Sequence, residues 1–256
     1  MSVVSRLLPM GVHCKGAAAA VAAAAVALGV TACGNAGEPD QVTVLAAASL
    51  TEPFTALANE LADDGEIAFS FGASSALVEQ LRAGAQADVL ATADTRTMDS
   101  AVEAGLVTGE PVVFAHNSLV LVVTEGNPLG VAGLADLARG ELRVALCEPQ
   151  VPCGAAAEQM LALAGVDASP DTLEADARDT AGKLALGEVD AALIYRTDVT
   201  SAMEVVDVPP DVEVVTEYLI AVVDGAPNPR GADEFVAVVT GEAGRRVLAD
   251  AGFGTP

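Results

Sequence analysis

Two serine-bearing turns are where chemistry is first to be sought in this sequence. Ser49 stands in Ala47-Ala48-Ser49-Leu50-Thr51-Glu52-Pro53, between an apolar run and an amphipathic segment. Serine followed three residues later by glutamate is a capping box, and Pro53 falls in the first turn, where a missing N–H costs little. On one reading Ser49 simply caps a helix. On the other, the helix N-terminus offers free N–H groups and partial positive charge to an anion. Ser74 and Ser75 repeat the arrangement in Phe71-Gly72-Ala73-Ser74-Ser75-Ala76-Leu77. Two such turns in consecutive βα units lie on the same edge of a parallel sheet, where ligands bind.

Other chemistries are poorly supplied. Phe71 to Leu77 has the outline of a nucleophile elbow but carries Ala76 where the second glycine belongs. A hydrolase would also need a general base near Ser74, and past residue 32 the single histidine is His116. Cys147 and Cys153 form an even pair, and in an oxidising compartment a disulfide is the natural reading. Zinc would be short of ligands: with Cys14 lost in an export signal and Cys33 spent on lipid, one histidine and no further cysteine remain. Ferric iron is disfavoured, since the only phenols are Tyr195 and Tyr218.

The elements that must position these residues alternate in type. Val42–Ala46 reads as a buried strand, and Phe54, Leu57, Ala58 and Leu61 mark one face of the helix after it. Ile67–Phe71 is a second strand, followed by a helix carrying Leu77, Leu81 and Ala85. Asp88–Ala91 is a third, followed by a helix lined by Met98, Ala101 and Val102. Three βα units in succession predict a parallel sheet. Val112–Ala115 and Ser118–Val123 read as strands parted by a tight His116-Asn117 turn. A second series follows: strand Leu142–Leu146, helix Gly154–Ala164, helix Ala181–Gly187 and strand Ala191–Tyr195. Glu217–Val223 is strand-like, and residues 231–251 are helical with a break near Thr240-Gly241. Two βα clusters joined by two extended segments predict two lobes with a ligand cleft between them; a single continuous sheet is the plainer alternative.

The start of the chain reads differently. Arg6 and Lys15 precede an uncharged run of small apolar residues, Gly16–Val30, shorter than the ~20 residues a membrane-spanning helix needs, which is the form of an export signal. Val30-Thr31-Ala32-Cys33 resembles the lipobox of bacterial lipoproteins, in which the cysteine becomes a diacylated N-terminus. Residues 34–40 are polar and suit a tether. The whole chain has 256 residues and a net charge of −24. Loss of residues 1–32 removes two cations and no acids, leaving 10 Lys plus Arg against 36 Asp plus Glu, a charge of −26. Phosphate backbones are bound by clustered cations, so a nucleic-acid partner is excluded, as is an anionic membrane surface.

VTVLAAASLTEPF at 42–54, SFGASSALVEQL at 70–81 and GAQADVLATAD at 84–94 resemble successive motifs of periplasmic molybdate-binding proteins. The likeness continues through NSLVLVV at 117–123, EPQVPCG at 148–154, ALIYRTD at 192–198 and the C-terminal AGFGTP. It implies a two-lobed α/β type II periplasmic-binding-protein fold, each lobe a mostly parallel sheet flanked by helices. The implied organisation is a signal peptide at 1–32, a lipidated tether at 33–40, lobe 1 from 41–121 and 220–256, and lobe 2 from 122–219. The resemblance also implies a buried molybdate or tungstate, contacted through hydroxyl and backbone N–H by Ser49 and Ser74. The second lobe would contribute the backbone N–H of Cys153 and Ala177 and the hydroxyl of Tyr195. Cys153 and Ala177 depart in side chain from the commoner alanine and valine, which matters little for contacts made by backbone. No cofactor, direct metal ligation or catalysis is expected. The expected partners are an ABC transporter permease and, through a lipid on Cys33, the outer face of the cell membrane, with the protein a monomer. Sulfate or thiosulfate binding, a secreted serine hydrolase and a surface interaction module stand as alternatives.

Overall fold

The computed structural model describes residues 41–60 and 66–256. The export signal, Cys33, the tether and helix position Leu61 lie outside the described residues. The chain forms β1 (Gln41–Ala47), α1 (Thr51–Glu60), β2 (Glu66–Gly72), α2 (Ser74–Arg82), β3 (Val89–Thr92), α3 (Thr95–Glu103) and the long β4 (Val107–Thr124). It continues through β5 (Val144–Cys147), α4 (Pro152–Ala164), β6 (Thr172–Glu174), α5 (Ala177–Ala185), β7 (Ala191–Tyr195), β8 (Met203–Val206), β9 (Val215–Val223), α6 (Pro229–Thr240) and α7 (Glu242–Asp250).

Strand order is β2-β1-β3-β9-β4-β7-β5-β6, with β8 pairing separately with β4. β1 is parallel to β2 and β3, and β5 is parallel to β6 and β7. Between these two parallel clusters lie β9 and β4, antiparallel to their neighbours. The sheet is therefore mixed: parallel at its flanks, as the βα periodicity predicts, and antiparallel where the chain crosses. β6 and β8, three and four residues long, are too short to give a periodic signal and have no counterpart in the sequence reading.

β4 departs most from expectation. His116 and Asn117 pair with Glu217 and Thr216 inside one 18-residue strand rather than forming a turn. Register shifts between Thr108 and Val112 and between Val113 and Ala115 bend the strand without ending it. His116 also exchanges both backbone hydrogen bonds with Gly254, at 2.7 and 2.9 Å. With these donors and acceptors paired, the turn preference of His-Asn is overridden. The first part of β4 pairs with β9 and Leu119 to Val123 pair with β7, so this one strand belongs to both halves.

Smaller corrections have local causes. α2 stops at Arg82 because Gly84, at φ 91°, turns the chain so that the Ala85 N–H returns to the Gln80 carbonyl; Ala85 is exposed past the helix end. Val102 is 43% exposed and Met98 and Ala101 carry the buried face of α3. The helix expected from Ala181 begins four residues earlier, where Asp176 caps it.

The core alternates with the pleat. On β1, Val44 and Ala46 pack with Phe54 and Leu57 of α1 and with Phe235 and Val239 of α6, while Leu45 faces Leu77, Leu81 and Met98 of α2 and α3. On β7, Leu193 and Tyr195 join the first cluster and Ala192 and Ile194 pack against Leu184 of α5. The sequence has six Phe, two Tyr and no Trp, and all eight rings form one connected cluster. It runs from Phe71 through Phe54 and Phe114 to Tyr218 and Tyr195, so rigid aromatic packing ends at two phenols.

Candidate functional site

Six strand-to-helix turns and strand ends converge on one small cavity of about 20 Å³. Ala47 to Ser49, Gly72 to Ser74 and Ala93 line it from the β1, β2 and β3 side. Val151 to Cys153, Asp176 to Ala177 and Tyr195 line it from the β5, β6 and β7 side. A space this size admits one compact species and not the 300–1,000 Å³ of a drug-sized ligand, by the usual order of magnitude. The five expected residues, Ser49, Ser74, Cys153, Ala177 and Tyr195, are thus brought together from both halves of the chain.

Three of the turns that line the cavity open helices without a side-chain cap. The turn Ala48–Leu50 has Ala47 at its N-cap, α2 has Ala73 and α4 has Val151, and none of the three is capped by a side chain. Their first-turn N–H groups have no partner within the helix. Away from the cavity Asp94 caps α3 and Asn228 caps α6, while α7 opens on Gly241 without a side-chain cap. The positive ends of the three helices at the cavity, with first-turn N–H groups that no side chain takes, therefore lie at its lining. α5 is the exception: Asp176 accepts from the N–H of Arg178 at 2.9 Å and of Asp179 at 3.0 Å. Ala177, one residue nearer the N-terminus, is left out of that cap.

The serines depart from the capping reading. Ser49 caps nothing; its Oγ is 2.8 Å from the Tyr218 hydroxyl, and Glu52, the other half of the expected capping box, forms an ion pair with Arg178. That pair joins α1 to α5, and Arg96 donates to the Gln150 carbonyl at 3.3 Å, joining α3 to the loop before α4. Both contacts hold the two sides of the cavity together. Ser74, also buried, accepts from the Ala93 N–H at 3.0 Å. Its oxygen is thereby committed as an acceptor, and its proton remains free to donate.

Tyr195 is 1% exposed, and its hydroxyl makes no hydrogen bond of ordinary geometry among the described residues. Burial, helped by Tyr218 and Asp94, pushes this phenol well above its usual range, so it keeps its proton and remains a donor. A buried hydroxyl without a partner is uncommon in folded proteins and points to a missing ligand atom. Beside it, Asp198 holds a buried Oδ2 with no hydrogen-bond partner among the described residues. Burial pushes its carboxyl up to about 7, although nearby Arg178 pulls the other way.

Cys147 and Cys153 are joined by a disulfide. Cys147 ends β5 and Cys153 is the second residue of α4, so the bridge pins the turn whose N–H groups face the cavity. Gly154 is required there, because a Cβ would lie 1.9 Å from the Glu148 carbonyl oxygen. Cys147 Sγ also touches Thr180 Oγ1 of α5 at 3.2 Å.

No Lys or Arg lines the cavity, and the one charged lining residue is the Asp176 cap. The sequence reading gives Asp176, Tyr218, Asn117 and Asp198 no part in the site. Asp176 carried a legible signal, an aspartate opening Asp-Ala-Arg-Asp ahead of a helix. The other three depend on pairings between distant strands.

Residues 42–254 match the family described as bacterial extracellular solute-binding protein. The molybdate-binding protein ModA of Mycobacterium tuberculosis is 40% identical over 221 residues, covering 84% of this chain and 85% of that protein. Among solved structures, the periplasmic molybdate-binding protein of Azotobacter vinelandii superposes with a TM-score of 0.70 at 19% identity, over 84% of this chain and 99% of that one. The sulfate-binding protein SubI of Mycobacterium tuberculosis superposes with a TM-score of 0.72 at 18% identity, over 83% and 86%. These structures share the two-lobed fold.

Proposed function

The chain belongs to the bacterial extracellular solute-binding protein family, and from that membership we propose that it captures molybdate or tungstate between its lobes and delivers it to an ABC importer. The observation that carries this reading is the cavity itself: bare helix N-termini and an unpartnered tyrosine hydroxyl converge on a space fit for one small ion. The relationship to proteins named for molybdate binding, at 40% identity, supports the choice of oxyanion.

Ser49, Ser74 and Tyr195 would supply hydroxyl protons, and Cys153 and Ala177 backbone N–H groups. A dianion held in a mature chain of −26 sounds unfavourable until distances are compared. Surface charges are screened over ~8 Å at physiological salt, whereas donors in a dry cleft act at contact. Short-range dipoles therefore win. A pocket of donors also disfavours a protonated oxyanion, because a donor facing O–H goes unpaired at a cost of about 1–3 kcal/mol. Phosphate and arsenate are rejected on that ground.

Because the donors come from both sides, the ion stabilises the closed arrangement, and the lobes part by a hinge in β4 and β9. A permease would read the closed form. The family is extracytoplasmic, and a diacylated Cys33 would hold the monomer at the membrane. Calorimetric titration with molybdate, tungstate, sulfate and phosphate tests the proposal. Tight binding of the first two with no heat from phosphate is expected; silence with all four would refute it.

A further inference from the structure

The Ser49 hydroxyl can serve a fully ionised oxyanion only if its proton points into the cavity, and its contact with Tyr218 leaves two possibilities. Either oxygen could be the donor across the 2.8 Å link. The groups behind Tyr218 decide between them. The Ser118 N–H, which can only donate, points at Asn117 Oδ1 at 3.0 Å. That fixes the amide so that its nitrogen faces the other way, 2.8 Å from Thr197 Oγ1 and 3.5 Å from the Tyr218 hydroxyl. An amide nitrogen accepts nothing. Tyr218 is 0% exposed, and its hydrogen-bond contacts of ordinary geometry among the described residues are this nitrogen and Ser49 Oγ. The Tyr195 hydroxyl also lies near but outside ordinary hydrogen-bond geometry, so among the described residues the acceptor in reach of the buried phenol proton is Ser49 Oγ.

We propose that Asn117 and Tyr218 form a one-way hydrogen-bond relay that fixes Ser49 as a donor and so determines selectivity for fully deprotonated oxyanions. The polarity starts at a backbone N–H, which cannot reverse, and passes through Asn117 and Tyr218 to Ser49. With its oxygen occupied by the phenol proton, Ser49 turns its own proton to the cavity. Ser74 reaches the same state in one step, from the Ala93 N–H. Each serine thus has one lone pair engaged by the protein and keeps its own proton for the ligand. Tyr218 and Asn117 are positioning residues, and the inference rests on the proposed oxyanion function for its ligand but not for its hydrogen-bond geometry.

Two measurements test it. Neutron diffraction from deuterated crystals of the ion-free protein locates the deuterium between Tyr218 Oη and Ser49 Oγ. The relay requires it on Tyr218, and a deuterium on Ser49 overturns the proposal. This readout stands even if no oxyanion binds, a result that would refute the proposed function alone. Tyr218→Phe then keeps the ring but frees the Ser49 oxygen to accept. Its molybdate-to-phosphate affinity ratio should fall at least tenfold, through weaker molybdate and newly measurable phosphate binding. A ratio within twofold of the parent protein, in a variant whose melting temperature shows it to be folded, overturns the relay as the source of selectivity.

Discussion

Replacing Tyr195 by phenylalanine should move stability and affinity in opposite directions. The phenol is 1% exposed, and its hydroxyl makes no hydrogen bond of ordinary geometry among the described residues. An unsatisfied buried hydroxyl destabilises by about 1–3 kcal/mol. Tyr195→Phe removes that term and keeps the ring in contact with Tyr218, so the ion-free protein should melt higher, by about 2–4 °C for each kcal/mol recovered. With molybdate present the sign reverses. The lost bond to a charged ligand is worth about 1.5–3 kcal/mol, which weakens binding roughly tenfold to 150-fold. At a ligand concentration of 100 times Kd the parent protein gains about 2.7 kcal/mol, of which the variant keeps about 1.4 kcal/mol at most. Scanning calorimetry with and without molybdate, together with isothermal titration, reads both quantities. A variant that melts lower when empty but binds molybdate as before would show that Tyr195 is an ordinary core residue.

Asp198→Asn should stabilise the protein in alkaline but not acidic solution. The folded carboxyl titrates near 7 against an ordinary 3.8, so the folded state takes up the proton more readily, and stability falls as pH rises towards and through 7. At about 1.4 kcal/mol per unit the cost above pH 7 reaches a few kcal/mol, which the amide avoids; equal melting shifts at pH 5 and pH 8.5 would count against a buried, unpaired carboxylate. Reducing the Cys147–Cys153 bridge removes roughly 2 kcal/mol of chain-closure stabilisation. Molybdate affinity should drop more than the melting temperature implies, because the bridge pins the turn that aims the Cys153 N–H; unchanged affinity in reductant would dispose of that role. Association measured by stopped flow should quicken with added salt, since salt screens the repulsive net charge. A rate that falls instead would reveal a locally positive entrance, with Arg96 and Arg178 as the obvious source.

The parallel flanks of the fold were legible because their signals are local. Continuous burial on β1 and β7 appears as unbroken apolar runs, and the helix faces recur at helical spacing. Ser49 and Ser74 followed from the turns at the ends of those strands, while Cys153, Ala177 and Tyr195 came only from the resemblance to molybdate-binding proteins. What escaped depends on partners far along the chain. The straight passage of β4 through His116 and Asn117 is imposed by Glu217, Thr216 and Gly254, about a hundred residues or more away. Ser49 carries a capping-box pattern, yet its hydroxyl is drawn off by Tyr218, 169 residues on, and Glu52 by Arg178, 126 residues on. A local pattern states what a residue can do alone; which option it takes is settled by what the fold brings within reach.

The central claim is that a bare oxyanion rests among neutral donors supplied by both lobes. Crystals grown with tungstate test it most directly, because tungsten scatters anomalously and its position needs no interpretation of weak density. A single tungsten peak is expected within hydrogen-bonded reach of the Ser49, Ser74 and Tyr195 hydroxyls and the Cys153 and Ala177 N–H groups, with no guanidinium touching its oxygens. A peak held instead by Arg96 or Arg178, or none in the cavity at saturating tungstate, would contradict capture by neutral dipoles.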